Sequence, residues 1–309
     1  MEALLEVILP VFIVIGAGYV ATWRGFFSVG AIEALTLFAQ RFAIPVLLFQ
    51  AIAGLDLGQT INAGLLLSFY TGALAGFAAG LFGARFLFGR PWPDAVAMGF
   101  VGLFSNSVLL GIPITERAYG ADVLASTFAI IAFHAPFCYG LGITVMEIVR
   151  AEGKSGGAIA KAALKAMFSN TLILAIALGF VVNLTGTPVP APLADAVSII
   201  ASAALPTALF GLGGVLVTYR AEGDLRIVMY LAAVSLVLHP AIAFGLATLQ
   251  GLSPEALRAA VLTGAMAPGV NSFIFANMYG VGRRVAATTV LVGTGLSILS
   301  IWIWLLILG

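Results

Sequence analysis

Two short stretches of this chain carry polar side chains in strongly apolar surroundings. The first is Ser105-Asn106-Ser107, followed by Gly111 and Pro113. The second is Pro268-Gly269-Val270-Asn271-Ser272. An asparagine amide is both donor and acceptor, so it can hold a carboxylate or complete the oxygen shell of a cation. Proline removes a backbone donor and clashes with the preceding turn; Gly111 lowers helix propensity just before Pro113. Broken backbone at membrane depth is tolerated only where it is buried in protein or lines a cavity. The half-helix N-termini at such breaks carry unpaired N–H groups and a positive dipole end, which attract anions. The candidate substrate-binding residues are therefore Ser105, Asn106, Ser107, Gly111, Pro113, Pro268, Asn271 and Ser272. The competing reading, that Ser and Asn serve as interhelical glue, stays open for the serines.

Ionisable residues inside apolar segments are functional candidates by default. Arg41, His134 and His239 qualify. Arg41 lies about eight residues into its segment, roughly 12 Å at the helical rise, within reach of the interface by snorkelling. The two histidines lie ~18–20 Å deep. Each could exchange a proton near neutral pH, or could stay neutral on a backbone carbonyl freed by Pro136 or Pro240. No Asp or Glu falls mid-segment; Asp94 and Glu147 are near ends. That argues against cation antiport and for an anionic substrate. A sodium site built from neutral oxygens stays open. The lone Cys138 excludes an internal disulfide. The sequence holds no cofactor, metal or nucleotide motif and no catalytic set, so it predicts secondary or facilitative transport rather than an enzyme.

These residues need a frame, and composition supplies it. Of 309 residues, 61% are hydrophobic and 9% charged, against ~25% charged in soluble domains. Mean hydropathy is +1.13. This predicts a polytopic membrane protein with no attached soluble domain. The net charge of +1 gives no reason to expect a nucleic-acid partner; the expected partners are a small anion and membrane lipid. Met1–Val20 begins with Glu2 and Glu6, unlike a cleavable signal peptide.

A span needs ~20 mostly apolar residues. Ten candidates fit: about Ala3–Thr22, Glu33–Gly54, Ile61–Phe86, Pro93–Pro113 (broken), Asp122–Val149, Leu164–Leu184, Leu193–Thr218, Leu225–Leu249, Glu255–Tyr279 (broken) and Arg284–Leu308. One set of alternate loops holds Arg24, Arg85, Arg90, Arg150, Lys154, Lys161, Lys165, Arg220, Arg226, Arg283 and Arg284. The opposite set holds only Arg117 and Arg258. The positive-inside rule then puts the 150–163 linker in the cytoplasm and both termini outside an inner membrane. Trp23, Trp92, Trp302 and Trp304 read as interface anchors.

The halves 1–149 and 164–309 resemble each other at a shift of about 160 residues. Ile44-Pro45-Val-Leu-Leu-Phe49 answers Leu205-Pro206-Thr-Ala-Leu-Phe210, and Ala118-Tyr119-Gly120 answers Met278-Tyr279-Gly280. Pro10 falls opposite Asn170. Pro45, Pro206 and Asn170 read as packing or hinge positions. Five spans per half is odd, so the repeats are inverted, a pattern typical of secondary transporters.

At these residues the chain resembles the auxin efflux carrier family, in its bacterial branch of malonate- and malate-permease-like transporters. The matching pieces are Leu9-Pro10, Gly16-Ala-Gly-Tyr19, Ala43-Ile-Pro45, Ser105-Asn106-Ser107 with Gly111-Ile-Pro113, and Pro268-Gly-Val-Asn271 through Tyr279-Gly280. The resemblance implies an all-α, ten-helix fold like that of bile-acid symporters and sodium/proton antiporters. Helices 4 and 9 would cross at their breaks. Helices 1, 2, 6 and 7 would form a scaffold, and 3–5 with 8–10 a transport domain moving by an elevator-like shift. A homodimer through the scaffold is open. So are a sodium-coupled symporter of the bile-acid type and a non-cycling membrane receptor for the same ligands. A receptor should carry an output element, for which only the short linker is available.

Overall fold

The computed structural model describes residues 3–57, 62–150, 157, 170–219 and 224–309. Most of the 150–163 linker, the 164–169 stretch, Lys154, Lys161, Lys165 and Arg220 lie outside the described residues.

In chain order the helices are α1 (Leu4–Trp23), α2 (Val29–Ala53), α3 (Ala63–Leu87), α4 (Trp92–Leu103), α5 (Ile112–Tyr119) and α6 (Asp122–Val149). They continue with α7 (Thr171–Thr185), α8 (Ala191–Thr218), α9 (Leu225–Leu249), α10 (Pro254–Gly264), α11 (Val270–Tyr279) and α12 (Arg283–Leu308). Seven of them, α1, α2, α3, α6, α8, α9 and α12, are long and apolar enough to cross a membrane. Among the described residues there is no β-strand. Large apolar side chains such as Ile13, Leu67, Ile199 and Leu306 stay exposed, as a lipid-facing surface requires.

Starts are set by local chemistry. Ser28 caps α2, its hydroxyl accepting from Ala31 N at 3.2 Å, so the helix begins four residues before the predicted Glu33. Asn170 caps α7, accepting from Leu172 N at 2.9 Å. Its backbone is extended (φ −91°, ψ 117°), so the predicted 164–184 helix does not run through it. Capping side chains of this kind satisfy N–H groups that have no intrahelical partner.

Prolines shape the interior of the helices. Wide π turns at Ala3–Ile8, Ala39–Ala43, Ser107–Gly111 and Val234–Leu238 each end two residues before a proline: Pro10, Pro45, Pro113 and Pro240. A proline cannot donate to the carbonyl four residues back and its ring crowds that carbonyl; widening the turn relieves the clash. In two cases the freed carbonyl is taken by another helix. Glu6 O, four residues before Pro10, accepts from the Arg117 guanidinium at the end of α5. Leu236 O, four before Pro240, accepts from Ser300 Oγ at 2.8 Å and Trp304 Nε1 at 3.2 Å, both on α12. Trp304 is thus buried with a structural bond, not an interface anchor; Trp23 remains exposed.

Glycines allow the closest helix contacts. α1 meets α8 where Gly18 faces the Phe210 carbonyl and Gly213 faces the Ile15 carbonyl. α3 meets α4 where Gly76 and Gly102 face each other's carbonyls. A side chain at any of these points would collide with backbone. One apolar core joins α1, α2 and α8 to Ile112 and Ile114 of α5. A second joins α3, α4, α6 and α9 to Phe275 of α11.

Candidate functional site

α4 stops at Leu103, and Phe104 turns extended (φ −94°, ψ 93°). α10 stops at Gly264, and Gly269 is extended before α11 begins (φ −70°, ψ 155°). The two non-helical segments meet as an antiparallel bridge, Ser105 opposite Pro268. Asn106 N donates to Ala267 O at 2.8 Å, and Gly269 N donates to Phe104 O at 2.9 Å. Pro268 has no N–H to lose, so it suits the unpaired side of the bridge. Asn106 O then accepts from Leu110 N and Gly111 N at 3.2 and 3.0 Å, starting the wide turn toward Pro113. Two main-chain bonds thus close this buried bridge, and Ser107 N adds a local one by donating to Ser105 O at 2.8 Å.

Beside the crossing lies a cavity of about 450 Å³, in the range of small-ligand sites. Ser105, Asn106, Ser107 and Asn271 line it, as do Arg41, His134 and Asn170. Asn106 is buried and its Nδ2 makes no hydrogen bond. Arg41 is exposed, lies in the wide turn of α2 and has no ion-pair partner among the described residues. None of the lining residues is Asp or Glu, so the lining's fixed formal charge is positive. His134 sits on α6 with Nε2 3.2 Å from Ser105 O. A carbonyl can only accept, so Nε2 carries the proton and His134 props the crossing segment.

Other sequence candidates stand elsewhere. Pro268 stands in the bridge and Gly111 ends the wide turn, neither lining the cavity, and Pro113 is buried in the first turn of α5. Ser272 is fully buried with its hydroxyl unpartnered. His239 is outside the cavity, its ring 4.9 Å from that of Phe69 and packed on Gly264. Pro45 and Pro206 are buried or internal to α2 and α8, away from the lining. No group of three or more His, Cys, Asp or Glu able to hold a metal occurs among the described residues.

Among the polar lining residues, Gln40, Tyr139 and Thr171 escaped sequence reasoning. Gln40 adjoins Arg41, and Tyr139 donates its hydroxyl to Asn271 Oδ1 at 3.0 Å. The signal for Tyr139 was its spacing: Ala135, Tyr139 and Ile143 recur every four residues on α6 and all line the cavity.

Membrane-length helices around a partly polar internal cavity are the architecture of a multi-pass membrane transport protein. A family model described as membrane transport protein matches residues 3–305, and the chain belongs to this family, the auxin efflux carriers. It is a transporter, not an enzyme. It is 24% identical over 307 residues to a protein of Rhizobium meliloti (strain 1021) named "Putative malonate transporter", covering 97% of this chain and 94% of that one.

Proposed function

We propose that the protein carries small organic anions, carboxylates of malonate size, across a cytoplasmic membrane by secondary or facilitative transport. One observation carries the reading: beside the crossing is a cavity lined by Arg41 and three asparagines, Asn106, Asn170 and Asn271, with no carboxylate in its lining. The name of the Rhizobium relative points the same way. On this reading α4 with α5, and α10 with α11, are each one interrupted span, which makes ten spans in two inverted repeats. α1, α2, α7 and α8 form the scaffold. α3–α6 and α9–α12 form the moving domain, and the cavity lies between the two. Its lining includes Ile143 near the C-terminal end of α6 and Thr171 at the start of α7. The charge bias assigns those ends to the cytoplasm, so this is the inward-facing state. Elevator-like movement of the crossed pair would carry the anion outward.

The test is uptake of labelled malonate into proteoliposomes, wild type beside Asn106→Ala, with and without sodium and proton gradients. Uptake by wild type and its loss in a folded Asn106→Ala support the reading, and the gradient arms assign coupling. Binding without uptake would favour a receptor. Uptake by Asn106→Ala at the wild-type rate would refute the site.

A further inference from the structure

α6 reaches both halves of the crossing. His134 bonds the carbonyl of Ser105, and five residues on, Tyr139 bonds the side chain of Asn271. The Tyr139 ring is held against Phe100 and Phe104, with centroids 5.4 and 5.9 Å away, and Phe100 in turn stacks on Phe275 of α11 at 4.1 Å. Gly142 makes room for this packing, since a Cβ there would meet the Phe100 ring at 2.5 Å. The hydroxyl is therefore aimed by a rigid aromatic cluster.

The consequence falls on Asn271. An amide turned by 180° exchanges a donor face for an acceptor face with little change in shape. The amide oxygen can only accept; a phenol hydroxyl can donate or accept but is the stronger donor, so the pairing seen, hydroxyl to Oδ1, is the favoured one. With Oδ1 so engaged, the group left to the cavity is Nδ2, which has no partner among the described residues. We infer that Tyr139 is a specificity-determining positioning residue: it fixes the Asn271 amide so that the site offers donors and selects carboxylates over neutral amides of the same shape. This rests on the carboxylate reading of the cavity and deepens it.

The probes are malonate and malonamide, equal in shape and different in charge and hydrogen-bonding sense, titrated against purified protein. Tyr139→Phe keeps the ring and removes the hydroxyl. The ratio of malonamide Kd to malonate Kd is expected to fall about ten-fold, the scale of one hydrogen bond to a charged group, with the melting temperature unchanged. In an Asn271→Ala background the same substitution should leave the ratio unchanged. Asn271→Asp, whose second oxygen would face the cavity, should lose malonate and keep malonamide; it serves also if Tyr139→Phe does not fold. An unchanged ratio in folded Tyr139→Phe overturns the inference, as does an equal fall in the Asn271→Ala background or malonate binding retained by Asn271→Asp. If wild type binds neither malonate nor other small carboxylates, the carboxylate reading fails and this inference falls with it.

Discussion

Gly80→Ala adds one methyl group where α3 lies against α4. The new Cβ would stand 2.6 Å from the Met98 carbonyl oxygen and 3.0 Å from Gly99 Cα. Ordinary contact begins at 3.4 Å, so the two backbones must part by about 0.8 Å at this level. Neither obstacle is a flexible side chain, so the strain cannot be shed by a rotamer change. Overpacking of this kind costs about 1–3 kcal/mol. The shift also enters α4 just before the crossing, because Leu103 leads directly into the paired segment Phe104–Asn106. Site geometry tolerates little: misplacement by about 1 Å can cost about a hundred-fold. We expect a lower melting temperature in detergent and about a ten-fold loss of malonate affinity in the folded fraction. Gly245→Ala on α9 is the control, since a Cβ there meets nothing within 4 Å. It should be neutral or gain up to about 1 kcal/mol from helix propensity. If Gly80→Ala melts and binds like wild type, or if Gly245→Ala suffers equally, close backbone approach does not set the site.

Arg41→Gln should lower malonate uptake about ten-fold or more, the scale of a hydrogen bond to a charged group, with Arg41→Lys recovering part of it; melting should barely move, because the side chain is exposed and no bond to it is seen among the described residues. Asp224 lies 3.9 Å from Arg90, both partly exposed, and its Oδ1 accepts from Arg226 N at 3.0 Å. Surface pairs contribute about 0–1 kcal/mol and caps about 1 kcal/mol, so Asp224→Asn should melt nearly as wild type while Asp224→Ala melts lower. Ser300→Ala and Trp304→Phe should each be mild. The double variant leaves Leu236 O without a donor from α12 and should cost about 1–3 kcal/mol more than the sum of the two, read as non-additive melting shifts.

Much of the frame was legible because hydropathy reports span length directly. The predicted Leu225–Leu249 and Asp122–Val149 spans coincide with α9 and α6. The segments that flank the crossing gave a weaker signal: α4, α5, α10 and α11 have 12, 8, 11 and 10 residues, each too short to span alone. Their polar and proline content pointed instead to the non-helical segments that meet where Ser105 bridges Pro268. The lining of the candidate cavity was legible where a polar side chain stood out from an apolar run, as Asn106 and Asn271 did. It was illegible where the clue was three-dimensional. Tyr139 looks like any aromatic core residue until Asn271, 132 positions away, is set against it. Asn170 read as a hinge from its place opposite Pro10, yet it caps a helix and lines the cavity. His239 and His134 looked alike in depth, and only the fold separates the one outside the cavity from the one lining it.

The prolines explain why such a site can exist inside a bilayer. Each proline frees a carbonyl that lipid cannot hydrate. At Pro10 and Pro240 that carbonyl becomes a tether to another helix, through Arg117 in one case and through Ser300 and Trp304 in the other. At the crossing the two broken backbones pair with each other, Asn106 with Ala267 and Gly269 with Phe104. Had the side chains been needed to satisfy that backbone, Asn106 and Asn271 would be committed to the fold. Because these two bonds join main chain to main chain, His134 rather than an asparagine reaches the Ser105 carbonyl, and Tyr139 takes up only the oxygen of Asn271, amide donors remain uncommitted beside the cavity. The bridge therefore does two things at once: it ties the two segments together, and it leaves amide donors spare beside the cavity.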